Sequence, residues 1–443
     1  MGPNSDQTQL TNDQETGERS DGSARQPGLV LVFSRDKARL VPHTLQPSGL
    51  SFVGRNDFAN AVQDDDRVSR QHVAVRVVEA GFEVSDPGSR NGTFVDGVRL
   101  EAPIVVNEGA VIRLGRSLAI LVADLRSFSP PRPLEEGDAI VGPRLRLAWE
   151  ELRAIGRAGE HVLILGESGS GKERAAAVFH EALGKVGPFV AVNCSTIPIG
   201  VAELLLFGAR RGAYSGADKD AVGYLQAADG GTLFLDEIAE LDLEVQAKLL
   251  RAIEAREILP LGASHPVRVN VRICAATHTD LRTLVSRGRF REDLYFRLGR
   301  PSVRLPPLRE RREEIPWLIA RELGSVRPRV ELVEACLVRP WPGNVRELRS
   351  EIRQAALRAK QRDRDEVTSS DLDEVAGTSF EAPDAPNREG PQPLVVRHRA
   401  VSPEDEQIRA ALAEAKGNVT SAARALGIHR TQLRRWVEKN EGR

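Results

Sequence analysis

Short apolar runs separated by Gly, Pro, Asn and Asp occupy the chain from Leu29 to about Leu125, at 30–33, 73–78, 82–84, 93–95, 111–114 and 118–122. Strand-length runs with turn residues between them predict an all-β sandwich. The pattern changes beyond a proline-rich bridge, Ser129-Pro130-Pro131-Arg132-Pro133. From about Ala139 to Arg300, apolar runs such as 161–165 and 232–235 alternate with helix-length stretches such as 174–183. That alternation predicts an α/β unit built on a parallel sheet. Helical periodicity takes over from about Pro306 to Val375, and a linker rich in Pro, Gly and charge follows at 377–403.

A small all-α unit closes the chain, with helices predicted at 408–415, 419–426 and 429–440 around Gly417-Asn418 and the turn Gly427-Ile428. Residues 1–27 have almost no large apolar side chains and cannot offset their ordering entropy, so a disordered tail is expected. The expected division is a tail at 1–27, a β domain at 28–126, a linker at 127–138, an α/β subdomain at 139–303, a helical lid at 304–376, a linker at 377–403 and a DNA-binding-type unit at 404–443. No repeat of fixed period is present.

Composition narrows the function classes. At 443 residues, 41% hydrophobic and 28% charged, the chain reads as a multidomain globular protein. The formal net charge is −1, so any nucleic-acid contact must come from a local basic patch. Cys194, Cys274 and Cys336 are far apart and lack metal-ligand spacing, which predicts buried, reduced thiols. No apolar run reaches the roughly 18 residues that span a bilayer, and no signal-peptide core is present. A cytoplasmic location without membrane contact is the expectation.

The clearest chemistry lies at Gly166-Glu167-Ser168-Gly169-Ser170-Gly171-Lys172-Glu173, directly after the apolar run at 161–165 and before a helical stretch. Glycines let successive N–H groups turn toward phosphate oxygens, the helix start adds its positive end, and Lys172 can reach the β- and γ-phosphates. Glu173 stands where a Ser or Thr usually offers a hydroxyl to magnesium. A second apolar run ends at Asp236-Glu237, 64 residues after Lys172. An acidic pair at the end of a buried strand suits ATP and Mg2+: Asp236 to hold the metal, directly or through water, and Glu237 to polarise the attacking water.

The text around these motifs resembles the AAA+ domain of bacterial enhancer-binding proteins, the activators of sigma-54 RNA polymerase. The fragments that carry the resemblance include Val192-Asn193-Cys194, Gly212-Ala213-Tyr214-Ser215-Gly216-Ala217, Gln246-Ala247-Lys248-Leu249-Leu250-Arg251, the stretches 290–298 and 305–311, and Trp341-Pro342-Gly343-Asn344-Val345-Arg346-Glu347-Leu348. Glu173 after the lysine is usual there. The resemblance implies that Asn193 holds the catalytic glutamate until the γ-phosphate is sensed. It also implies that Arg291 and Arg297 are fingers for a neighbouring subunit's ATP, and that Arg346 is the second sensor. A homo-oligomer, a hexameric ring when active, comes with these roles. Residues 212–217 correspond to the loop, usually GAFTGA, that grips sigma-54, and here it reads GAYSGA. Leu205 and Gln226 stand where glutamates often relay the nucleotide state, and His278 where the first sensor is usually asparagine. These departures leave open an AAA+ DNA-binding regulator acting without sigma-54; a phosphopeptide scaffold with an idle ATPase is a further reading, against which the intact Lys172, Asp236 and Glu237 argue.

The β domain carries Gly54-Arg55, Ser69-Arg70-Gln71-His72, Asp86-Pro87-Gly88-Ser89-Arg90-Asn91-Gly92-Thr93 and a stretch at 109–115, all between apolar runs. Their order resembles the forkhead-associated (FHA) domain, which implies that Arg55 and Ser69 hold a phosphothreonine phosphate, Arg70 assists, and Asn91 holds the peptide backbone. Guanidinium and hydroxyl groups suit a dianion, and an amide suits a peptide. His72 reads as a loop-fixing or core residue. The phosphothreonine would belong to another protein or to this chain's own tail, at Thr8, Thr11 or Thr16. Residues 416–439 hold six Lys/Arg and one acidic residue, an electrostatic footprint for DNA. Their spacing resembles a Fis-type helix-turn-helix, with Leu433, Trp436 and Val437 inward and Thr420, Arg430, Thr431, Gln432, Arg434 and Arg435 for upstream enhancer DNA.

Overall fold

A computed structural model describes residues 25–128, 135–136, 139–184, 187–198, 200–215, 217–379 and 415. The tail at 1–24, the proline-rich bridge, and the C-terminal unit with Thr420, Arg430, Thr431, Gln432, Arg434 and Arg435 lie outside the described residues.

The front domain is a sandwich of two antiparallel sheets. Its six-stranded sheet runs Lys37–Thr44, Gly28–Ser34, Ser117–Val122, Val111–Leu114, Thr93–Val95, Val98–Arg99, and its four-stranded sheet runs Leu50–Val53, Val73–Val78, Gly81–Ser85, Ile104–Val106. Every residue of Gly28–Ser34 and of Ser117–Val122 is buried. Leu29, Leu31, Ala119 and Leu121 face the sandwich core, while Val30, Val32, Leu118, Ile120 and Val122 join a second cluster with the lid helices. A sandwich sheet normally leaves its outer face wet and alternates apolar with polar. Here the unbroken apolar runs at 30–33 and 118–122 reflect burial on both faces.

The α/β unit holds a parallel five-stranded sheet in the order Phe189–Asn193, Thr232–Asp236, Arg272–Thr277, Val162–Leu165, Ser302–Arg304. Period-two alternation divides its side chains cleanly. Leu163, Leu233, Leu235, Ile273 and Ala275 pack into one cluster, and Val162, Ile164, Phe234, Cys274 and Ala276 into the other. Adjacent central strands bring three loops to the same carboxyl edge, the usual place for ligands in such sheets. These are the loop after Leu165, the Asp236-Glu237 pair and the segment after Thr277. All three cysteines are buried thiols without a disulfide.

The lid consists of helices Ile315–Leu323, Val330–Val338 and Asn344–Gln361. It is pinned by fully buried Trp341, whose Nε1 donates to the Cys336 carbonyl at 2.7 Å. The first two lid helices rest on the outer face of the six-stranded sheet. Polar ties edge this contact: Arg113 Nε lies 3.0 Å from Glu334 Oε2, and an Arg312 guanidinium nitrogen donates to the Gly109 carbonyl at 2.8 Å. The front domain is therefore seated on the lid through a continuous apolar core. Phe128, inside the stretch expected to be linker, is buried in that core.

Candidate functional site

The loop after Leu165 wraps the start of helix Lys172–Ala182. The helix begins two residues earlier than the predicted 174, because Gly171, at φ 103°, makes the turn that lets Lys172 begin the helix. At Gly169, φ 72°, a side chain is excluded as well: a Cβ would lie 2.3 Å from the Gly343 carbonyl oxygen of the lid. The loop is thus clamped between sheet and lid. Arg309 grips the Glu167 carboxylate with two bonds of 2.8 and 2.6 Å, and Asn344 Nδ2 donates to Glu167 Oε2 and the Ser168 carbonyl at 3.1 and 3.0 Å. Arg311, almost fully buried, donates to the Ser170 carbonyl at 2.7 Å. Arg346 reaches the Ser168 hydroxyl at 3.2 Å.

A cleft of about 680 Å³ opens between this loop and the lid. Its polar end is built from residues 168–173 with Asn193, Asp236 and Glu237, and its apolar end from Ile140, Trp149 and Leu318. Lys172 Nζ lies 3.1 Å from Glu237 Oε1 and 3.2 Å from the Gly166 carbonyl. Burial and the charge of Glu237 push the Asp236 carboxyl above the usual aspartate range although Lys172 pulls the other way. For Glu237, burial works against ionisation, but the His278 hydrogen bond and Lys172 outweigh it and hold the carboxyl low. The buried Ser170 hydroxyl has no protein partner.

These features fit a nucleotide's phosphates and one divalent ion. An unpartnered hydroxyl, the loop at a helix start and an ammonium line one cleft, beside a half-buried carboxylate whose charge a cation would stabilise. Among the described residues, no group of three or more His, Cys, Asp or Glu could hold a metal by itself.

Other sequence-derived candidates line the cleft with different partners or stand outside it. Asn193 is in register with Asp236, yet its side-chain oxygen accepts from the Ser195 amide and hydroxyl at 3.0 and 2.7 Å. Glu237 is held instead by His278, whose Nδ1 donates to Oε2 at 2.8 Å. Arg291 pairs with Asp293, 2.7 Å away, Arg297 is exposed, and neither lines the cleft. Glu173 is exposed on the first helical turn and lines the cleft. Within residues 212–217, the Gly212 amide donates to the Ala217 carbonyl at 2.9 Å and the Ala217 amide to the Tyr214 carbonyl at 3.0 Å. Below this turn Arg210 pairs with Asp220 at 2.5 Å, and Tyr214 is 46% exposed. Ser215 is exposed and Ala213 half-buried; Gly216 lies outside the described residues. Leu205 is half-buried, and Gln226 Oε1 accepts from the Gly223 amide at 3.1 Å.

In the front domain, Arg55 donates to the Val68 and Asp66 carbonyls at 2.8 and 3.2 Å. The Ser69 hydroxyl accepts from the Arg90 amide at 3.1 Å, and Asn91 Nδ2 donates to the Arg67 carbonyl at 2.8 Å. Arg70 is exposed beside them. His72 is fully buried and ties the two loops, with Nδ1 accepting from the Ser69 amide at 2.9 Å and Nε2 at 3.2 Å from the Gly92 carbonyl. Asp86 shapes the second loop; burial opposes its charge, but bonds from Ser89, Gly88 and Thr93 bring its pKa down to about 2.

Asn344, Arg309 and Arg311 hold the phosphate loop but were not singled out by residue chemistry. Their signal was present in the stretches 305–311 and 341–348, where single residues gave no reason to prefer a loop contact over a surface ion pair.

Comparison with known proteins agrees with this geometry. The Sigma-54 interaction domain profile matches residues 141–304, the FHA domain profile matches 52–115, and the profile described as bacterial regulatory protein, Fis family, matches 403–439. The Nif-specific regulatory protein of Azotobacter vinelandii is 38% identical over 300 residues, covering 66% of this chain and 56% of that protein. The chain thus spans little more than half the length of that relative. The DNA-binding transcriptional regulator NtrC of Azospirillum brasilense is 36% identical over 363 residues, covering 72% of this chain and 74% of NtrC. A crystal structure of NtrX from Brucella abortus in complex with ATP aligns at a TM-score of 0.49 and 28% identity, covering 71% of each chain. No helix among the described residues is long and apolar enough to cross a membrane. With a Sigma-54 interaction domain between an FHA domain and a Fis-family segment, and with NtrC covered over most of its length, the chain belongs to the family of sigma-54-dependent bacterial transcriptional regulators.

Proposed function

We propose that this protein activates transcription by sigma-54 RNA polymerase, using ATP hydrolysis in an AAA+ ring under the control of a phosphothreonine signal. The observation that supports it most is the joint presence, in one Sigma-54 interaction domain, of a complete phosphate site and the exposed turn around Tyr214. Residues 166–173 bind the triphosphate through loop N–H groups, and Lys172 neutralises its terminal phosphates. Asp236 would hold magnesium, directly or through water, and the ion would supply charge neutralisation for the phosphates. Glu237 accepts hydrogen bonds from the attacking water and orients it in line with the terminal phosphate. Arg346 senses the nucleotide from the lid, while Arg291 and Arg297, outside their own cleft, serve a neighbouring subunit. Asn193 would take up Glu237 after rotating away from Ser195.

Tyr214 and Ser215 present an aromatic ring and a hydroxyl to sigma-54, as the GAYSGA sequence implies. Arg55, Ser69, Arg70 and Asn91 receive a phosphothreonine peptide, from another protein or from this chain's own tail. Thr420, Arg430, Thr431, Gln432, Arg434 and Arg435 contact upstream enhancer DNA. All partners in this scheme are cytoplasmic.

The test is capture of purified sigma-54 by the full-length protein with and without a transition-state analogue of ATP hydrolysis. Analogue-dependent capture that Tyr214→Ala abolishes is expected. Capture indifferent to the analogue, or none in any nucleotide state, would overturn the reading.

A further inference from the structure

Around the loops that carry Ser69 and Asn91, most aspartates of the front domain are engaged by hydrogen bonds or a salt bridge, whereas several guanidinium groups are not. Asp57 accepts from the Gly54 amide at 2.8 Å. Asp65, fully buried, accepts from the Arg116 amide and the Ser117 hydroxyl at 2.8 and 2.9 Å. Asp66 is paired with Arg116, and Asp86 takes four bonds of 2.6 to 2.9 Å from its own turn and Thr93. Asp64 alone among the aspartates of residues 54–91 is exposed without such a bond among the described residues.

The arginines behave oppositely. Arg67, Arg70, Arg90 and Arg99 are exposed and their side chains make no hydrogen bond among the described residues; Arg67 alone has a carboxylate near it, Asp66, which is already paired with Arg116. Two backbone contacts and one side-chain contact nevertheless place three of them at the candidate site. The Arg67 carbonyl holds Asn91, the Arg90 amide donates to Ser69, and the Arg99 guanidinium lies against Gly92, whose Cβ would be 2.8 Å from Arg99 Nε. Gly92 is in turn bonded to buried His72. By contrast, Arg113, Arg116, Arg309, Arg311, Arg349 and Arg353 all meet a carboxylate. Exposed guanidinium groups without a carboxylate partner occur elsewhere on the chain as well, at Arg39 and Arg251 for example, but here they stand around one candidate peptide site.

Resting on the reading of this domain as a phosphothreonine binder, we propose that Arg67, Arg90 and Arg99 select acidic sequence around the phosphothreonine, so that the ligand is a phosphopeptide flanked by Asp or Glu. Arg55, Ser69 and Arg70 match one phosphate dianion, and that leaves Arg90 and Arg99 with no carboxylate to meet and Arg67 beside an aspartate already taken by Arg116. Carboxylates on either side of the phosphothreonine supply the missing partners through fork-shaped guanidinium contacts. Because these arginines are exposed, each pair is weak and salt-sensitive, and selectivity comes from their number.

The test is fluorescence anisotropy of the full-length protein with three labelled peptides: phosphothreonine flanked by Glu, the same with Gln, and the Glu peptide unphosphorylated. The Glu-flanked phosphopeptide is expected to bind about tenfold tighter than the Gln-flanked one at low salt, the sum of a few exposed charge pairs. The gap should narrow at 0.5 M salt and close in Arg90→Gln/Arg99→Gln. In Arg90→Glu/Arg99→Glu a Lys-flanked phosphopeptide should become the preferred ligand, which a misfolded domain could not show. Equal affinity for both phosphopeptides would overturn the selectivity and leave the phosphothreonine site standing. Equal affinity for the phosphorylated and unphosphorylated Glu peptides, or no binding of any peptide, would overturn both.

Discussion

Glu237 has a left-handed backbone, φ 52°, at the end of a buried strand. A non-glycine residue there carries roughly 1–2 kcal/mol of strain and persists only when its surroundings over-determine it. Lys172, His278 and a bond from its own amide to Asp236 supply that restraint. Glu237→Gln should therefore still bind labelled ATP but lose at least about 100-fold in phosphate release, since a positioned base contributes that much. Lys172→Ala should lose both. A different titration governs stability at Glu313. Burial first, and then the neighbouring Glu314, push its pKa from the ordinary 4.5 up to about 8. Between those values the folded chain keeps a proton that the unfolded chain has released, so stability falls as pH rises through the window. Glu313→Gln should accordingly raise the melting temperature at pH 8 more than at pH 5.

At the scale of elements, the phosphate loop is as firm as the pieces bolted to it. Trp341 and Asn344, at the entry of the last lid helix, are fully buried, and Asn344 bridges Leu308, Glu167 and Ser168. Trp341→Ala should cost roughly 3–5 kcal/mol in denaturant unfolding of the ATPase unit, the range for deleting a buried large aromatic. The turn at 212–217 is different, being tied mainly to itself and to the Arg210–Asp220 pair. Much of this was legible beforehand. The strand-loop-helix around Lys172 and the acidic pair at 236–237 follow from local pattern, because phosphate chemistry needs contiguous residues. The His278 contact with Glu237 was not legible, since it joins neighbouring strand ends 41 residues apart in sequence. The second buried face of the front sheet was written in the apolar runs at 30–33 and 118–122, but a run alone does not say what covers it.

For the whole molecule, the seat of the front domain on the lid is the feature with most consequence. Val30, Val32, Leu118, Ile120 and Val122 meet Ile315, Ile319 and Val333 in one buried cluster, so front domain and lid share a core. Arg113→Glu would leave Glu334 buried beside a like charge and should lower the melting temperature of the full chain; adding Glu334→Arg should recover part of the loss. Removing residues 1–126 should bare that apolar face and make the remaining ATPase aggregation-prone in light scattering. A phosphopeptide held at the front loops would then bias the lid, and through Arg346 and Leu318 the nucleotide cleft, by way of one packed interface. The central claim, that hydrolysis in this cleft drives sigma-54 polymerase through the turn at 212–217, is tested most directly by in vitro transcription from a sigma-54 promoter with wild type, Tyr214→Ala and Ser215→Ala, each assayed in parallel for phosphate release. The account predicts ATP-dependent transcripts from wild type, and near-complete loss in Tyr214→Ala with phosphate release kept within about threefold. Full transcription by both variants would contradict it.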